Sequence, residues 1–193
     1  FVGKTALTAD PVHVASAMRN ALELDEEWAQ QFPTWEDALR YLRGAMDDAG
    51  VFVVVNSIVG NNTHRKLDET EFRGFVLVDG YAPFVFVNGS DARSAQMFTL
   101  AHELAHIFFG YSAAFDLHAL HPADDEVERQ CNRVAAEFLV PANRLANLWP
   151  SVQDEQHPFQ SLARLFKVRS ILLARRILHL ALITRTEFFS YYV

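Results

Sequence analysis

The sequence is short of cysteine, of positive charge and of long apolar runs, and each shortage excludes a class of protein. The single cysteine, Cys131, cannot form a disulfide within the chain, so we expect a reducing, cytoplasmic location. Seventeen basic against 24 acidic residues give a net charge of −7, which disfavours a surface devoted to nucleic acid. No apolar run approaches the roughly 20 residues of a membrane span, and no signal peptide is visible, so no membrane partner is expected.

Apolar and aromatic residues, by contrast, are abundant. Half of the 193 residues are hydrophobic and 16 are Phe, which excludes disorder and suffices for one domain with a substantial core. Residues 1–9 are predicted to be a tail or linker, and helices are expected to begin at Asp10 and at Thr34, which are good N-cap residues. Because the chain begins with Phe1 rather than Met, a processed product or a piece of a longer protein is expected.

The predicted fold class is α+β. A run of apolar, mostly β-branched residues over 51–55 predicts a buried strand, and the polar stretch 56–69 predicts a loop. Residues 72–78 and 84–88 are predicted to pair as a hairpin through a turn longer than two residues. Together these segments give a small antiparallel or mixed three-stranded sheet, packed against helices and followed by a C-terminal helical subdomain.

The central chemical signal is an HExxH motif, His-Glu-Leu-Ala-His at residues 102–106. The surrounding residues 91–109 predict a helix with Ser90 or Asp91 as its N-cap. Histidines four positions apart project from one face of a helix, so both imidazoles can bind one divalent metal ion. Glu103 lies on the flank of that face, where it can act as a base on a water molecule.

A second predicted helix, over residues 124–139, offers a third ligand. Zinc held by two histidines needs one more protein ligand, usually from another element, and keeps an open position in a catalytic site. Glu128 lies beside the core stripe of this helix, and Asn132 follows one turn later, where it can orient a metal ligand. Small residues on both helices would let the two backbones approach closely: Ala101, Ala105, Ala135 and Ala136.

The motif and the segment 128–141 together resemble the ImmA/IrrE family of metallo-endopeptidases. They are similar, more broadly, to the thermolysin-like zinc peptidases, in which a Glu-x-x-x-Asp on a second helix completes the site. The resemblance implies zincin-type helices, with Glu103 as the catalytic base and with three metal ligands, His102, His106 and Glu128. Zinc is the implied metal, and manganese and iron compete for such sites.

The chain departs from the thermolysin pattern at Asn132, which stands in place of Asp and makes the surroundings of the ligands less anionic.

The resemblance also implies a narrow protein substrate, often a DNA-binding helix-turn-helix repressor that is cut once to switch on stress-response or mobile-element genes. A helix-turn-helix domain upstream of Phe1 is a related expectation. The alternative is a metal-binding regulatory module that binds a repressor or a toxin–antitoxin partner without cutting it.

Further candidate contacts with a substrate lie on either side of the motif. His118 and His121, in a predicted loop between the two helices, could polarise the scissile carbonyl or replace a ligand, or could simply be solvated. Phe84, Val85 and Phe86 belong to the strand that leads into the motif. We predict that this strand forms a sheet edge and binds the substrate backbone by β-augmentation, with an ordinary meander strand as the alternative.

The chain is predicted to divide into a metallopeptidase domain, residues 10–150, and a helical subdomain, residues 151–193. The subdomain resembles a helix-turn-helix in outline, and residues 161–193 hold six Lys or Arg against one Glu. Such a basic face could contact DNA phosphates. The alternative, which we favour, is a helical cap whose Leu and Ile residues close the core.

Overall fold

The computed structural model describes residues 1–60, 62–115 and 126–191, which form an α+β fold as predicted. The helices are α1 (Pro11–Ala21), α2 (Trp35–Asp48), α3 (Arg93–Phe109), α4 (Glu126–Leu139), α5 (Ala142–Val152), α6 (Pro158–Phe166), α7 (Ser170–His179) and α8 (Arg185–Ser190), with a short 3-10 helix at Trp28–Gln31. The strands are β1 (Phe52–Asn56), β2 (Ile58–Val59), β3 (Asn62–Lys66), β4 (Gly74–Leu77), β5 (Phe84–Asn88) and β6 (Ala113–Phe115).

The main sheet is mixed, with the strand order β1-β5-β4-β6. β5 pairs in parallel with β1 and antiparallel with β4, which also pairs antiparallel with β6. The predicted hairpin of β4 and β5 is confirmed. In its turn the Asp79 carboxylate accepts hydrogen bonds from the backbone N–H groups of Tyr81 (2.8 Å) and Ala82 (2.9 Å). β6 is a fourth strand that was not predicted. Three residues so soon after a helix are too few to show the periodicity of a strand.

A separate pair of strands lies within the stretch that was expected to be a loop. β2 and β3 are antiparallel, with Ile58 opposite Lys66. Every residue of β3 is exposed, so the strand has no buried face that could mark it in the sequence. The prediction of a loop over 56–69 is therefore wrong.

β5 lies inside the sheet, which contradicts its predicted role as a substrate-binding edge. Its backbone pairs with β1 on one side and with β4 on the other. The edge-strand prediction for Phe84, Val85 and Phe86 is therefore wrong, because β-augmentation needs backbone groups that are not already paired. Among the described strands of this sheet, the edges are β1 and β6.

The edge strand β1 is only half covered, although its apolar run predicts burial. Phe52 and Val54 are 61% and 40% exposed, whereas Val53 and Val55 pack against the core. One covered and one uncovered face produce this alternation. A continuous apolar run in the sequence does not reveal which face is covered.

The predicted starts of the first two helices are confirmed by their caps. The Asp10 carboxylate accepts a hydrogen bond from the Val12 N–H (2.9 Å) at the start of α1. The Thr34 hydroxyl accepts one from the Asp37 N–H (3.1 Å) at the start of α2. Both caps satisfy N–H groups that have no partner inside the helix. These starts were predictable because a cap involves residues only two or three positions apart.

The helix that carries the motif begins differently from the prediction. Its N-cap is Ala92, without a side-chain cap, rather than Ser90 or Asp91. The Asp91 carboxylate is buried and forms ion pairs with Arg169 (3.1 Å) and Arg73 (3.6 Å), and it also accepts a hydrogen bond from the Ala92 N–H (2.7 Å). Asp91 therefore joins distant parts of the chain instead of capping α3.

One hydrophobic core connects the sheet, the motif helix and the C-terminal helices. Leu100 and Leu104 of α3 belong to the same buried cluster as Leu162 of α6 and Leu173 and Ile177 of α7. The C-terminal helices thus cover the core, as the cap interpretation requires. No helix within the described ranges is both long and apolar enough to cross a membrane.

Candidate metal centre

The HExxH motif lies in the most buried part of α3. The helix contacts β4 and β5 and packs against α4, and nearly all its residues from 95 to 109 are buried. His102 and Glu103 are 0% exposed and His106 is 1% exposed. Polar groups in such a position are costly unless they find a partner or bind an ion. The fold therefore carries three polar side chains into its core at one place.

The two histidines meet Glu128 from the neighbouring helix α4. The Nε2 atoms of His102 and His106 are 3.1 Å apart. The Glu128 carboxylate contacts both rings, with Oε2 at 3.1 Å from His102 Nε2 and Oε1 at 3.1 Å from His106 Nε2. These ligand atoms all lie within 4.8 Å of one another. The structure thus brings together the three residues that were predicted as ligands.

The spacing of these atoms fits a metal ion. Two atoms bound to zinc at about 2.0–2.1 Å and at tetrahedral angles lie about 3.3 Å apart, close to the separation of the two imidazole nitrogens. Two imidazoles and one carboxylate are also a donor set that zinc takes in hydrolytic sites. On both counts the residues suit a divalent cation.

The protonation states favoured by the surroundings are those that metal binding needs. Burial lowers the pKa of His102, which favours the neutral imidazole. Partial burial raises the pKa of Glu128, but its hydrogen bonds to the two imidazoles outweigh this effect, and the pKa lies well below its ordinary value. Glu128 is therefore a carboxylate at neutral pH, and His102 can present a lone pair.

Glu103 lies beside these ligands with its hydrogen-bonding capacity unused. Neither carboxylate oxygen has a hydrogen-bond partner in the described part of the chain. Burial, and secondly the charge of Glu128, raise the pKa of the Glu103 carboxyl well above its ordinary value. A buried carboxyl with a raised pKa and free oxygens can take up and release a proton, which is the property of a general base.

Gly74 makes the close approach of the sheet to Glu103 possible. A Cβ atom on Gly74 would lie 2.6 Å from Thr99 Cγ2, 2.7 Å from the carbonyl oxygen of Phe86 and 3.3 Å from Glu103 Oε1. The first two distances are shorter than any normal contact, so only glycine fits where β4 crosses α3. The sequence signal for this feature is a glycine inside a predicted strand, but its significance depends on Thr99 and Glu103, which lie on a helix later in the chain.

Asn132 and Phe98 lie next to the ligand cluster, each one helical turn from a ligand. Asn132 lies close enough to His102 to raise the pKa of its imidazole slightly against the larger effect of burial, and its role in orienting a ligand stays a prediction. The ring centroids of Phe98 and His102 are 6.3 Å apart. These two side chains therefore border the site on the side away from His106.

Two arginines that the sequence analysis does not single out hold the end of α4. Arg19 of α1 donates hydrogen bonds to the carbonyl oxygens of Glu137 (3.1 Å) and Phe138 (3.2 Å). Arg176 of α7 forms an ion pair with Glu137 and donates to the Val140 carbonyl oxygen (3.3 Å). Cations at the last carbonyls of a helix satisfy groups that lack partners within it. The two arginines therefore anchor the C-terminal end of the helix that carries Glu128.

The remaining site predictions have different outcomes. His118 and His121 lie outside the described residues. Phe84, Val85 and Phe86 lie on β5, whose backbone is fully paired, so they do not form the predicted docking edge.

A comparison with known protein families agrees with this geometry. A family model, Peptidase_M78 (IrrE N-terminal-like domain), matches residues 46–178. The match contains the HExxH motif, Glu128 and Asn132, and it crosses the predicted domain boundary at residue 150. No curated protein matches the chain significantly. The chain therefore belongs to the IrrE N-terminal-like domain family of peptidases, which confirms the predicted ImmA/IrrE resemblance.

Proposed function

We propose that the chain is a zinc-dependent endopeptidase of the cytoplasm whose active site is the cluster of His102, His106 and Glu128 with Glu103. The observation that carries the proposal is the convergence of three ligand side chains within 4.8 Å, beside a fully buried glutamate. Membership of a peptidase family supports hydrolysis of peptide bonds as the reaction. Manganese and iron are the competing metals for the same ligands.

Each residue of the cluster has a defined part in this proposal. A divalent metal held by the two histidines and Glu128 would supply Lewis-acid chemistry, which polarises a carbonyl and acidifies water. Glu103 accepts the proton of the attacking water and then donates it to the departing amide nitrogen. Asn132, one helical turn after Glu128 and close to His102, keeps the His102 ring oriented. Burial of the cluster keeps bulk water away from these charges.

We infer further that the substrate is a helix-turn-helix repressor, cut once to derepress stress-response or mobile-element genes. The support for this substrate is the family resemblance, together with the net charge of −7, which suits association with a basic DNA-binding protein. Direct contact of residues 161–193 with DNA is disfavoured, because Arg169 and Arg176 pair with buried carboxylates.

The substitution Glu103→Gln tests the assignment of the base. We expect its metal content to stay near normal, because the ligands are untouched, and the rate of peptide cleavage to fall by about 100- to 10,000-fold. The measurement is the appearance of fragments when metal-loaded protein is incubated with a candidate helix-turn-helix repressor. Wild-type protein with a chelator is the control and should also yield no fragments.

Two outcomes would contradict the proposal. Cleavage by metal-loaded Glu103→Gln at the wild-type rate would remove Glu103 from its role as base. Tight binding of the repressor by the metal-loaded wild type, without fragments, would instead favour the alternative of a regulatory module that binds and does not cut.

A further inference from the structure

A cavity of about 760 Å³ lies between α3, α4 and the C-terminal helix α7. Its size is in the range of cavities that bind small ligands or side chains. Phe98, Ile171 and Leu172, with two alanines, supply the apolar part of its wall. The cavity is built by the packing of the C-terminal helices onto the two helices of the metal centre.

The charge of the cavity is opposite to that of the whole protein. Its lining includes five arginines and no carboxylate within the described part of the chain, although the chain as a whole carries −7. The arginines are Arg73, Arg133, Arg169, Arg175 and Arg176. A concave surface whose charged groups are of one sign and whose other walls are partly apolar concentrates the electric field and attracts the opposite charge.

Only part of this charge is neutralised by neighbouring carboxylates. Asp91 forms ion pairs with Arg73 and Arg169, and Glu137 forms one with Arg176. Arg133 and Arg175 form no ion pair with any residue that the structure describes, and both are exposed. Guanidinium groups bind carboxylates through two parallel hydrogen bonds, so these two arginines are the natural partners of an incoming acid.

The cavity begins at the metal centre itself. Phe98 and Asn132 belong both to its wall and to the border of the ligand cluster, since Asn132 lies one helical turn after Glu128 and the ring centroids of Phe98 and His102 are 6.3 Å apart. One helical turn is about 5.4 Å, and an extended peptide advances about 3.3 Å per residue. A peptide with its carbonyl at the ligand cluster can therefore place a side chain in the cavity from within two residues of that carbonyl.

We propose that this cavity is a specificity pocket that binds an acidic side chain, Asp or Glu, close to the bond that is cut. The inference rests on the proposed endopeptidase function for the position of the peptide, whereas the anion preference rests on the arginines alone. Arg133 and Arg175 bind the carboxylate, and the paired arginines add to the attractive field. The substrate class is thus a peptide segment with an acidic residue beside its scissile bond.

Binding tests the pocket independently of cleavage. The probe is a fluorescein-labelled peptide with a Glu-Asp pair, compared with the same peptide carrying Gln-Asn, on metal-loaded Glu103→Gln protein, with fluorescence anisotropy as the readout. We expect the acidic peptide to bind about tenfold tighter, and Arg175→Gln and Arg133→Gln each to remove most of that ratio. Arg185→Gln, at an exposed arginine outside the cavity, is the matched control and should keep the ratio.

Equal affinity for the two peptides would overturn the inference, as would an unchanged ratio in both cavity variants. Free glutamate and inorganic phosphate are used as competitors. Displacement of the acidic peptide by phosphate at equal molar affinity would also overturn it, because the pocket would then be a site for free anions.

Cleavage of a randomised peptide pool by the wild type separates this inference from the function on which it rests. Fragments enriched in Asp or Glu within two residues of the new terminus support both. Fragments without this enrichment reject the pocket and leave the peptidase assignment intact. Absence of fragments from both the pool and the repressor rejects the peptidase assignment, and the binding ratio still decides whether the cavity selects acidic peptides.

Discussion

Glu128 differs from the two histidines in that it comes from another helix and is about a quarter exposed. Its carboxylate closes the cluster by contacting both imidazoles. The histidine pair is a local feature of one helix, and any helix with this spacing would present it. The third ligand is what makes the cluster a site, because it exists only when α3 and α4 are packed together.

Replacement of this ligand should therefore release the metal. We expect Glu128→Ala to lower metal content to a small fraction of the wild-type value after dialysis, because two histidines alone bind zinc weakly. The measurement is metal per protein by mass spectrometry. Glu126→Ala, at an exposed position half a turn earlier on α4, is the control and should retain the metal. Full retention by Glu128→Ala would mean that another donor completes the site.

At the residue scale, the parts of the site that lie within a short stretch of sequence could be predicted. His102, Glu103 and His106 follow from one five-residue pattern, and Glu128 and Asn132 from a second pattern one helix later. Arg19 could not be predicted, because its role depends on the contact of α1 with the end of α4. The five arginines of the cavity come from the residue before β4, from α4, and from α7 with its N-cap. No spacing in the sequence connects them.

At the scale of elements, the last carbonyl groups of α4 accept hydrogen bonds from a charged side chain on another helix. Arg19 is 4% exposed and donates to two backbone carbonyls that have few alternative partners. We expect Arg19→Met to lower the free energy of unfolding by about 2 kcal/mol and to weaken metal binding, because hydrogen bonds of a charged donor in a buried place are lost. Urea denaturation measures the first effect and metal titration the second.

The control for this substitution is Arg40→Met. The side chain of Arg40 is 71% exposed and forms a surface ion pair with Asp37. Such pairs contribute little, so the stability should change by less than about 1 kcal/mol. A similar loss in both variants would show that the α4 carbonyls do not depend on Arg19.

The end of α7 offers a gain in stability. Ala181 follows the helix with a φ of 55°, a left-handed conformation in which its Cβ is crowded, and the side chain is exposed. We expect Ala181→Gly to raise the free energy of unfolding by about 0.5–1 kcal/mol. Ala146→Gly, at an exposed position inside α5, should lower it by a similar amount. Thermal unfolding of the two variants compares them, and a shift of the same sign in both would contradict the argument.

The strand order of the main sheet, β1-β5-β4-β6, could be predicted only in part. The chain pattern of β4 and β5 correctly predicts a hairpin, because the two strands are separated by a short turn. β1 and β5 are also neighbours, but they are parallel, and the β2–β3 pair and β4 lie between them in sequence. Contacts of this kind are decided by which faces bury together, so β5 could be mistaken for an edge.

At the scale of the whole molecule, the division into two domains at residue 150 stays a prediction, but the packing and the family match run across that point. α6 and α7 place Phe166 and Leu173 in the core cluster that also contains Leu100 of the motif helix. Asp91 and Arg169 add an ion pair between the start of α3 and the start of α7. The metal centre and the C-terminal helices therefore share one interior.

A shared interior predicts one cooperative unfolding transition for the full chain. Tryptophan fluorescence and far-UV circular dichroism should give the same midpoint in urea. Removal of residues 158–193 should abolish this transition, because each of several large side chains contributes about 1.5–3 kcal/mol to a stability that totals about 5–15 kcal/mol. Two separate transitions in the full chain, or a truncated chain that unfolds cooperatively, would favour independent domains.

The crossing of β4 over α3 at Gly74 sets the tolerance of the whole active site. At that point the clearance between sheet and helix is less than the width of a methyl group, and the nearest polar side-chain atom belongs to Glu103. A larger residue would have to push apart two layers that are each anchored elsewhere, so the displacement would fall on the Glu103 carboxylate. The position of Glu103 thus depends on Gly74, a residue whose side chain is a single hydrogen atom.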